Sequence, residues 1–176
     1  FEIEYKGANA VIFTTKKAQL IFDPKLSVVG KKDLAVSGAI EVITEDRFVV
    51  ENTSPKLLIN SPGEYGIGDS SLLGVAARRH IDTEEQGLKA VVYRVVIGDV
   101  RIVVLGNIDP KLNDEQLEKL GVVDMMVIPV GGGGYTLDPT DAASLVRQIE
   151  PKAVVPVHYA DDGLDSEVAQ HALDVF

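Results

Sequence analysis

The order of the short apolar segments constrains the fold of this chain more than any other feature. Strand-like segments lie at 1–6, 10–15, 19–22, 39–44, 57–60, 65–68, 71–77, 90–97 and 100–105, and a further short strand is predicted at 48–50. The two-residue turn Gly98-Asp99 predicts a tight hairpin between the segments 90–97 and 100–105. After residue 106 the pattern changes to strands that alternate with helices. Antiparallel strands followed by such units predict an α/β or α+β fold, with sheets covered by helices.

Helix signals are confined to the last third of the chain. Asn113, with Gln116 three residues later, is typical of a capped helix start. Asp138 followed by Pro139 predicts the start of a second helix. The predicted elements are helices at 113–120, 138–150 and 165–175 and strands at 125–129 and 153–157. No repeat and no long linker divides the chain, so we expect one domain over residues 1–176.

Composition excludes several classes of function. The formal charge is −10, and residues 107–176 contain 4 basic and 13 acidic side chains. Phosphate backbones and anionic membranes bind clusters of Lys and Arg, so neither nucleic acid nor a membrane surface is the expected partner. The chain has no Cys, which excludes disulfides, thiolate zinc sites and Cys nucleophiles. No apolar run reaches the roughly 18 residues of a membrane span, and no signal peptide is recognisable, so we expect a cytoplasmic protein.

Polar side chains at the ends of predicted strands are the candidate site residues. His158 follows the buried segment 153–157, and Asn107 follows 100–105. His80 and Asp82 follow 71–77 and have the donor atoms of metal ligands, although exposed loop charges are the commoner case. His158 and Asn107 also have structural readings, as a hydrogen-bonded strand end and a turn cap.

A glycine run at 131–134 follows the strand at 125–129. Its spacing fits neither a P-loop nor a dinucleotide fingerprint. Glycine lets a backbone approach a ligand closely, so Gly131, Gly132 and the adjacent Tyr135 are candidate pocket residues, with a simple flexible turn as the alternative.

Several segments, taken in order, resemble the metallo-β-lactamase superfamily. They are Ile21-Phe22-Asp23-Pro24, Ser61-Pro62-Gly63-Glu64-Tyr65, Val104-Leu105-Gly106, 124–132, 139–150 and Pro156-Val157-His158-Tyr159. The resemblance covers roughly residues 1–160 and is to the branch of small metal-dependent hydrolases that includes ascorbate-phosphate lactonases. It implies a four-layer αβ/βα sandwich with a metal site at the edge where the two sheets meet.

The same resemblance shows which family residues are missing. The family motif His-x-His-x-Asp-His is expected after 33–37, but residues 37–47 contain no His. Gly7-Ala8 stands where a Gly-His pair is frequent, and Asn107 stands where a bridging Asp is expected. His158 matches the last His ligand, and His80 lies near the position of an intermediate one. A two-zinc site needs on the order of six ligand groups, so we predict that this site is lost.

These observations predict a degenerate metallo-β-lactamase-fold protein that has no cofactor and binds a small molecule or a protein. The alternative is a hydrolase of a small ester, lactone or phosphorylated substrate. It would use one zinc or manganese ion held by His80, Asp82 and His158, with Asn107 and His158 at the reacting centre. Glu41, Glu45 or Asp46 could supply oxygen ligands to a harder cation. A third possibility is metal-free acid–base chemistry, with His158 as base beside Asp82 or Asp161.

Overall fold

The computed structural model describes residues 1–176 and contains two β-sheets packed face to face. The first sheet has the order β1-β2-β3-β4-β5, and its strands are β1 (Glu2–Gly7), β2 (Ala10–Thr14), β3 (Gln19–Phe22), β4 (Ile40–Val42) and β5 (Leu57–Ile59). The second has the order β11-β10-β9-β8-β7-β6, and its strands are β6 (Gly63–Ile67), β7 (Ser70–Ala77), β8 (Ala90–Ile97), β9 (Val100–Val104), β10 (Met125–Pro129) and β11 (Ala153–Val157). The mixed α/β architecture predicted from the sequence is confirmed.

Parallel strands bring several loops to one edge of the molecule. Strands β3, β4 and β5 are parallel to one another, as are β9, β10 and β11. Because the carboxyl ends of parallel strands lie at the same edge of a sheet, the loops that follow these strands can meet there. Strand β7 is antiparallel to β8, which is antiparallel to β9, so the loop after β7 leaves at the same edge.

Alternating apolar side chains from both sheets form the central core. Sixteen buried residues make up this layer, and its aromatic members include Phe13, Phe22 and Tyr93. The Phe13 and Phe22 ring centroids are 5.0 Å apart, and Phe22 meets Tyr93 edge to face at 6.1 Å. The Tyr93 hydroxyl donates to the carbonyl oxygen of Ile43 at 2.9 Å, which satisfies the one polar atom of this buried side chain.

Both α-helices lie on the outer face of the second sheet. They are α1 (Asp114–Leu120) and α2 (Pro139–Ile149), and they contribute Leu120, Ala142 and Leu145 to a second buried core of 15 residues. The outer face of the first sheet is covered instead by loops and short 3-10 turns, with Val36 and Ala39 packed on Ile12 and Ile21. None of the helices combines the length and the apolar character that a transmembrane helix requires.

The capping signals are confirmed, whereas two predicted elements are wrong. Asn113 and Gln116 form the reciprocal pair expected at the start of α1, with Gln116 N–H donating to Asn113 Oδ1 at 2.8 Å. Residues 48–50 do not form a strand, because a 3-10 turn spans Asp46–Phe48. Residues 165–175 do not form a helix either; their backbone is irregular, with a bend at 167–168 and a 3-10 turn at Leu173–Val175. Their backbone groups pair with the body of the protein, which competes with a short helix that is marginal alone.

Candidate functional site

A buried polar cluster lies at the edge where the loops converge. Its centre is the side chain of Asn107, which follows β9 and is 3% exposed. The Oδ1 atom of Asn107 lies 3.2 Å from Nδ1 of His158, and its Nδ2 donates to Glu45 Oε1 at 3.3 Å. One amide therefore joins the loop after β4, the loop after β9 and the end of β11.

The direction of these hydrogen bonds fixes the form of the His158 ring. Because Asn107 Nδ2 donates to Glu45, its Oδ1 accepts a hydrogen bond from the Nδ1–H of His158. The Nε2 atom then carries the lone pair. Burial, with a smaller effect of the Arg47 charge, lowers the pKa of His158 to about 4. At neutral pH the ring is an uncharged group with Nε2 as acceptor, base or metal ligand.

Arg47 lies beside this imidazole, and no sequence pattern marked it. Its guanidinium carbon is 4.3 Å from the centre of the Tyr135 ring and 5.0 Å from that of Phe48. Tyr135 in turn meets His158 edge to face at 5.8 Å. A guanidinium over an aromatic face is held by the ring quadrupole while its N–H groups stay free to bind.

A second buried carboxyl, Asp23, follows β3 and is 2% exposed. The Thr44 N–H donates to its Oδ1 at 2.8 Å, and Thr44 Oγ1 lies 2.6 Å from its Oδ2. Burial raises the pKa of Asp23 to about 8, against the lowering effect of these two hydrogen bonds. The pair ties the end of β3 to the loop that carries Glu45 and Arg47.

The loop after β7 adds an ion pair and a second histidine. Arg79 binds Asp82 through two hydrogen bonds of 2.8 and 2.7 Å and lies 3.7 Å from Glu45. The bidentate Arg79 contact holds the pKa of Asp82 below its usual range, while burial raises the pKa of Glu45. His80 donates its N–H to the Asn107 carbonyl at 2.9 Å, and its buried Nδ1 has no hydrogen-bond partner.

Backbone strain is concentrated at this edge. Five residues other than glycine have left-handed φ angles, and three of them are Ala8, Asp23 and His158, at +46°, +46° and +51°. The His158 N–H donates to the Ala8 carbonyl at 2.8 Å, which holds two of the strained residues together. Each such conformation costs about 1–2 kcal/mol in an L-residue. Strain of this kind commonly accumulates where a side chain is being aimed at a ligand.

The predicted site residues are thus partly brought together. Asn107 and His158 are in direct contact, and His80 contacts Asn107 through the backbone. Asp82 faces Arg79, so the side-chain partner of His158 is Asn107 rather than Asp82 or Asp161. The other candidate oxygen ligand Glu41 accepts the Val50 N–H at 3.0 Å and holds the loop after β4.

The glycine run packs against the chain itself. Tyr135 lines the small cavity beside His158, whereas Gly131 and Gly132 are not among its lining residues. A Cβ on Gly131 would overlap the His158 carbonyl and the Gln170 side chain. Glycine is therefore needed at this position because the C-terminal segment packs directly against its backbone.

A metal centre requires converging donors, and the described residues do not provide the usual set. No group of three or more His, Asp or Glu side chains is arranged to hold a metal ion. The carboxylate of Asp82 is engaged by Arg79, and the carboxyl group of Asp23 is hydrogen-bonded to Thr44. The loop after β4 presents Glu45, Asp46 and Arg47 where the family resemblance places imidazoles. This donor set does not fit a two-zinc site.

Comparison with known proteins identifies the relatives of the fold. A UPF0173 metal-dependent hydrolase of Thermococcus onnurineus is 34% identical over 68 residues, which cover 38% of this chain and 30% of that protein. The match therefore spans less than a third of the relative's length.

Solved structures extend the likeness to nearly the whole chain. A proposed Zn-dependent hydrolase of the metallo-β-lactamase superfamily from Thermotoga maritima superposes with a TM-score of 0.78 at 20% identity, covering 98% of this chain and 81% of that one. A proposed metal-dependent hydrolase from Parabacteroides distasonis gives a TM-score of 0.68 at 17% identity, covering 92% and 83%. At these identities the superpositions establish a shared fold.

The family model of the β-lactamase superfamily domain matches residues 2–158, which contain every strand of both sheets and end at His158. With its two packed sheets and a polar cluster at their common edge, this chain belongs to the metallo-β-lactamase superfamily.

Proposed function

We propose that this protein binds a small molecule at the sheet edge and does so without the two-metal centre of its hydrolase relatives. The observation that carries the proposal is the position of Arg47. Its guanidinium stacks on Tyr135 beside His158, in the loop where the family resemblance expects metal-binding imidazoles. A fixed cation there opposes the binding of divalent ions and favours ligands with electron-rich atoms.

The buried network supports a binding role over a purely structural one. Glu45, Asn107 and His158 are each at most 5% exposed and are joined in series. Such a network orients one ring nitrogen, Nε2, in the manner of a residue that contacts a ligand. An interaction module that used an outer surface would not need this enclosed arrangement. A cytoplasmic location, which the lack of cysteine suits, is part of the same proposal.

Metal content is the direct test. The full chain, expressed without a His tag and purified without chelator, is analysed by mass spectrometry before and after incubation with zinc and with manganese. We expect well below one metal per chain in each case. One retained metal per chain would overturn the proposal.

The second candidate is a hydrolase with one metal ion. It is favoured by two imidazole nitrogens without protein partners, Nε2 of His158 and the buried Nδ1 of His80, on residues that both contact Asn107. This candidate predicts that His158→Ala removes a retained metal. The matched control is His171→Ala, which removes an exposed imidazole. Equal metal content in the two variants would exclude a site built on His158.

A further inference from the structure

A small, partly open cavity lies against His158 and is bordered on one side by the C-terminal segment. Its walls include Arg47, Phe48, Tyr135 and His158 on one side and Val168 and Gln170 on the other. The free space is about 10 Å³, roughly one water molecule. Enclosing a larger occupant here requires one wall to move.

The guanidinium in this cavity has no carboxylate partner. Arg78, Arg79 and Arg101 each bind a carboxylate at 2.7–2.8 Å. Arg47, by contrast, has no carboxylate within 4.0 Å, and its guanidinium lies over the rings of Phe48 and Tyr135. A guanidinium has five N–H donors in a planar fork, so its preferred partner is a carboxylate or phosphate oxygen pair.

Two polar atoms of other residues that line the cavity also lack hydrogen-bond partners. They are the Tyr135 hydroxyl and the Gln170 Oε1, and both are buried. A buried hydroxyl without a partner is unfavourable, and a ligand oxygen that accepted a hydrogen bond from the Tyr135 hydroxyl would remove that penalty. The acidic residue on the rim is Glu167, whose side chain is exposed.

The moving wall is the segment 164–171, which we name the strap. Leu164 packs into a small apolar cluster with Ala8, Leu26 and Val29. The Asp165 N–H donates to the Val29 carbonyl at 3.0 Å, and the His171 N–H donates to the Gly131 carbonyl at 2.7 Å. The strap is thus attached at its two ends, while Val168 and Gln170 between them cover the cavity. A segment with so few backbone bonds to the body opens more readily than a strand inside a sheet.

From this geometry we infer that the cavity is an oxyanion site, in which Arg47 and Tyr135 bind the carboxylate or phosphate group of a small ligand after the strap moves aside. The inference deepens the proposed function and rests on it, because it names the class of ligand that the metal-free site takes. Displacing the strap also carries the Glu167 carboxylate away from the incoming anion.

Calorimetric titration of the chelator-treated full chain tests the ligand class. Inorganic phosphate and acetate are the two probes, at constant ionic strength set with chloride. We expect saturable binding of at least one, and the one that binds identifies phosphate or carboxylate as the source of the oxyanion. Arg47→Gln should weaken that binding at least about tenfold, because charge-assisted hydrogen bonds are lost. Arg47→Lys keeps the charge without the fork and should be intermediate.

The matched control is Lys16→Gln, which removes the same charge from an exposed residue in the turn between β2 and β3. Circular dichroism confirms that each variant is folded. Absence of saturable binding by the unmodified chain, or equal affinity in the Arg47→Gln and Lys16→Gln variants, would overturn the inference. A metal-free chain that binds neither probe refutes the oxyanion site alone, whereas stoichiometric retained metal refutes the proposed function.

Hydrogen exchange tests the strap separately. Saturation with the bound probe should speed exchange of the Asp165 and His171 amides, since their bonds to Val29 and Gly131 must loosen. The amide of Val127, inside the second sheet, provides the internal reference. Unchanged or slower exchange at both strap amides with the probe bound would show that the ligand does not enter by this route.

Discussion

Replacing Asp23 by asparagine should remove a large pH-dependent contribution to the stability of this protein. Asp23 is 2% exposed, and burial raises its pKa from 3.8 to about 8. Between these two values the folded chain holds a proton that the unfolded chain has released. Stability from this group is therefore fully present below about pH 4 and is lost as the pH rises towards 8.

The magnitude follows from the shift. One pKa unit corresponds to about 1.4 kcal/mol, so the whole effect of Asp23 is on the order of 5 kcal/mol. Asparagine is the matched replacement, because its Oδ1 can accept the Thr44 N–H while its Nδ2 donates to Thr44 Oγ1. Asparagine also tolerates the left-handed backbone at this position, where φ is +46°.

The assay is urea unfolding of both proteins at intervals from pH 5 to pH 9, followed by circular dichroism. The stability of Asp23→Asn relative to the unmodified chain should rise by about 1.4 kcal/mol per pH unit up to pH 8 and then level off. Taking the difference between the two proteins cancels the titration of every other group.

A control variant separates this effect from general destabilisation. Asp124 accepts hydrogen bonds from Arg101 and pairs with Lys152, and these contacts hold its pKa well below the usual range. It is ionised in both states above pH 5, so Asp124→Asn should shift stability by the same amount at every pH in the series. Parallel curves for Asp23→Asn and the unmodified chain would refute the reasoning about Asp23.

Two further predictions concern the same edge of the sheets. Gly106→Ala should lower the free energy of unfolding by roughly 2–4 kcal/mol, because the new Cβ would lie 2.7 Å from Thr44 at a φ of +64°. Urea unfolding measures this loss. A loss below about 0.5 kcal/mol, the level of a neutral surface change, would contradict the close contact. Asn107→Asp should raise the pKa of His158 from about 4 by roughly 1–3 units, because a carboxylate next to Nδ1 favours the imidazolium. Nitrogen NMR of the ring measures this, and a proton on Nε2 in the unmodified chain at pH 7 would contradict the assigned hydrogen-bond direction.

Sequence patterns predicted secondary-structure elements correctly where contacts between residues close in sequence stabilise the element. The hairpin at Gly98-Asp99 and the Asn113 cap of α1 depend on residues within a few positions of each other, and both are confirmed. The predicted helix at 165–175 is wrong because its residues make their hydrogen bonds with Val29 and Gly131, far away in the chain. Apolar residues at helical spacing cannot reveal that competition.

The site shows the same division. His158 and Asn107 could be selected from sequence because each follows a strong apolar strand. Arg47 could not, because it lies in an irregular loop and its role depends on Tyr135, which is 88 positions later. The only available signal was the absence of histidine from the segment where the family resemblance expects it.

The sequence by itself determined the mixed α/β class and the scarcity of metal ligands, since both depend on the kinds of residues present and their order. Only the tertiary structure decided how the remaining polar groups are used. It joined Glu45, Asn107 and His158, set Arg47 against Tyr135, and laid the strap across them. The physical reason is that burial and hydrogen-bond direction depend on neighbours that the fold brings together, and these two factors set the charge and the free donor atoms of the site.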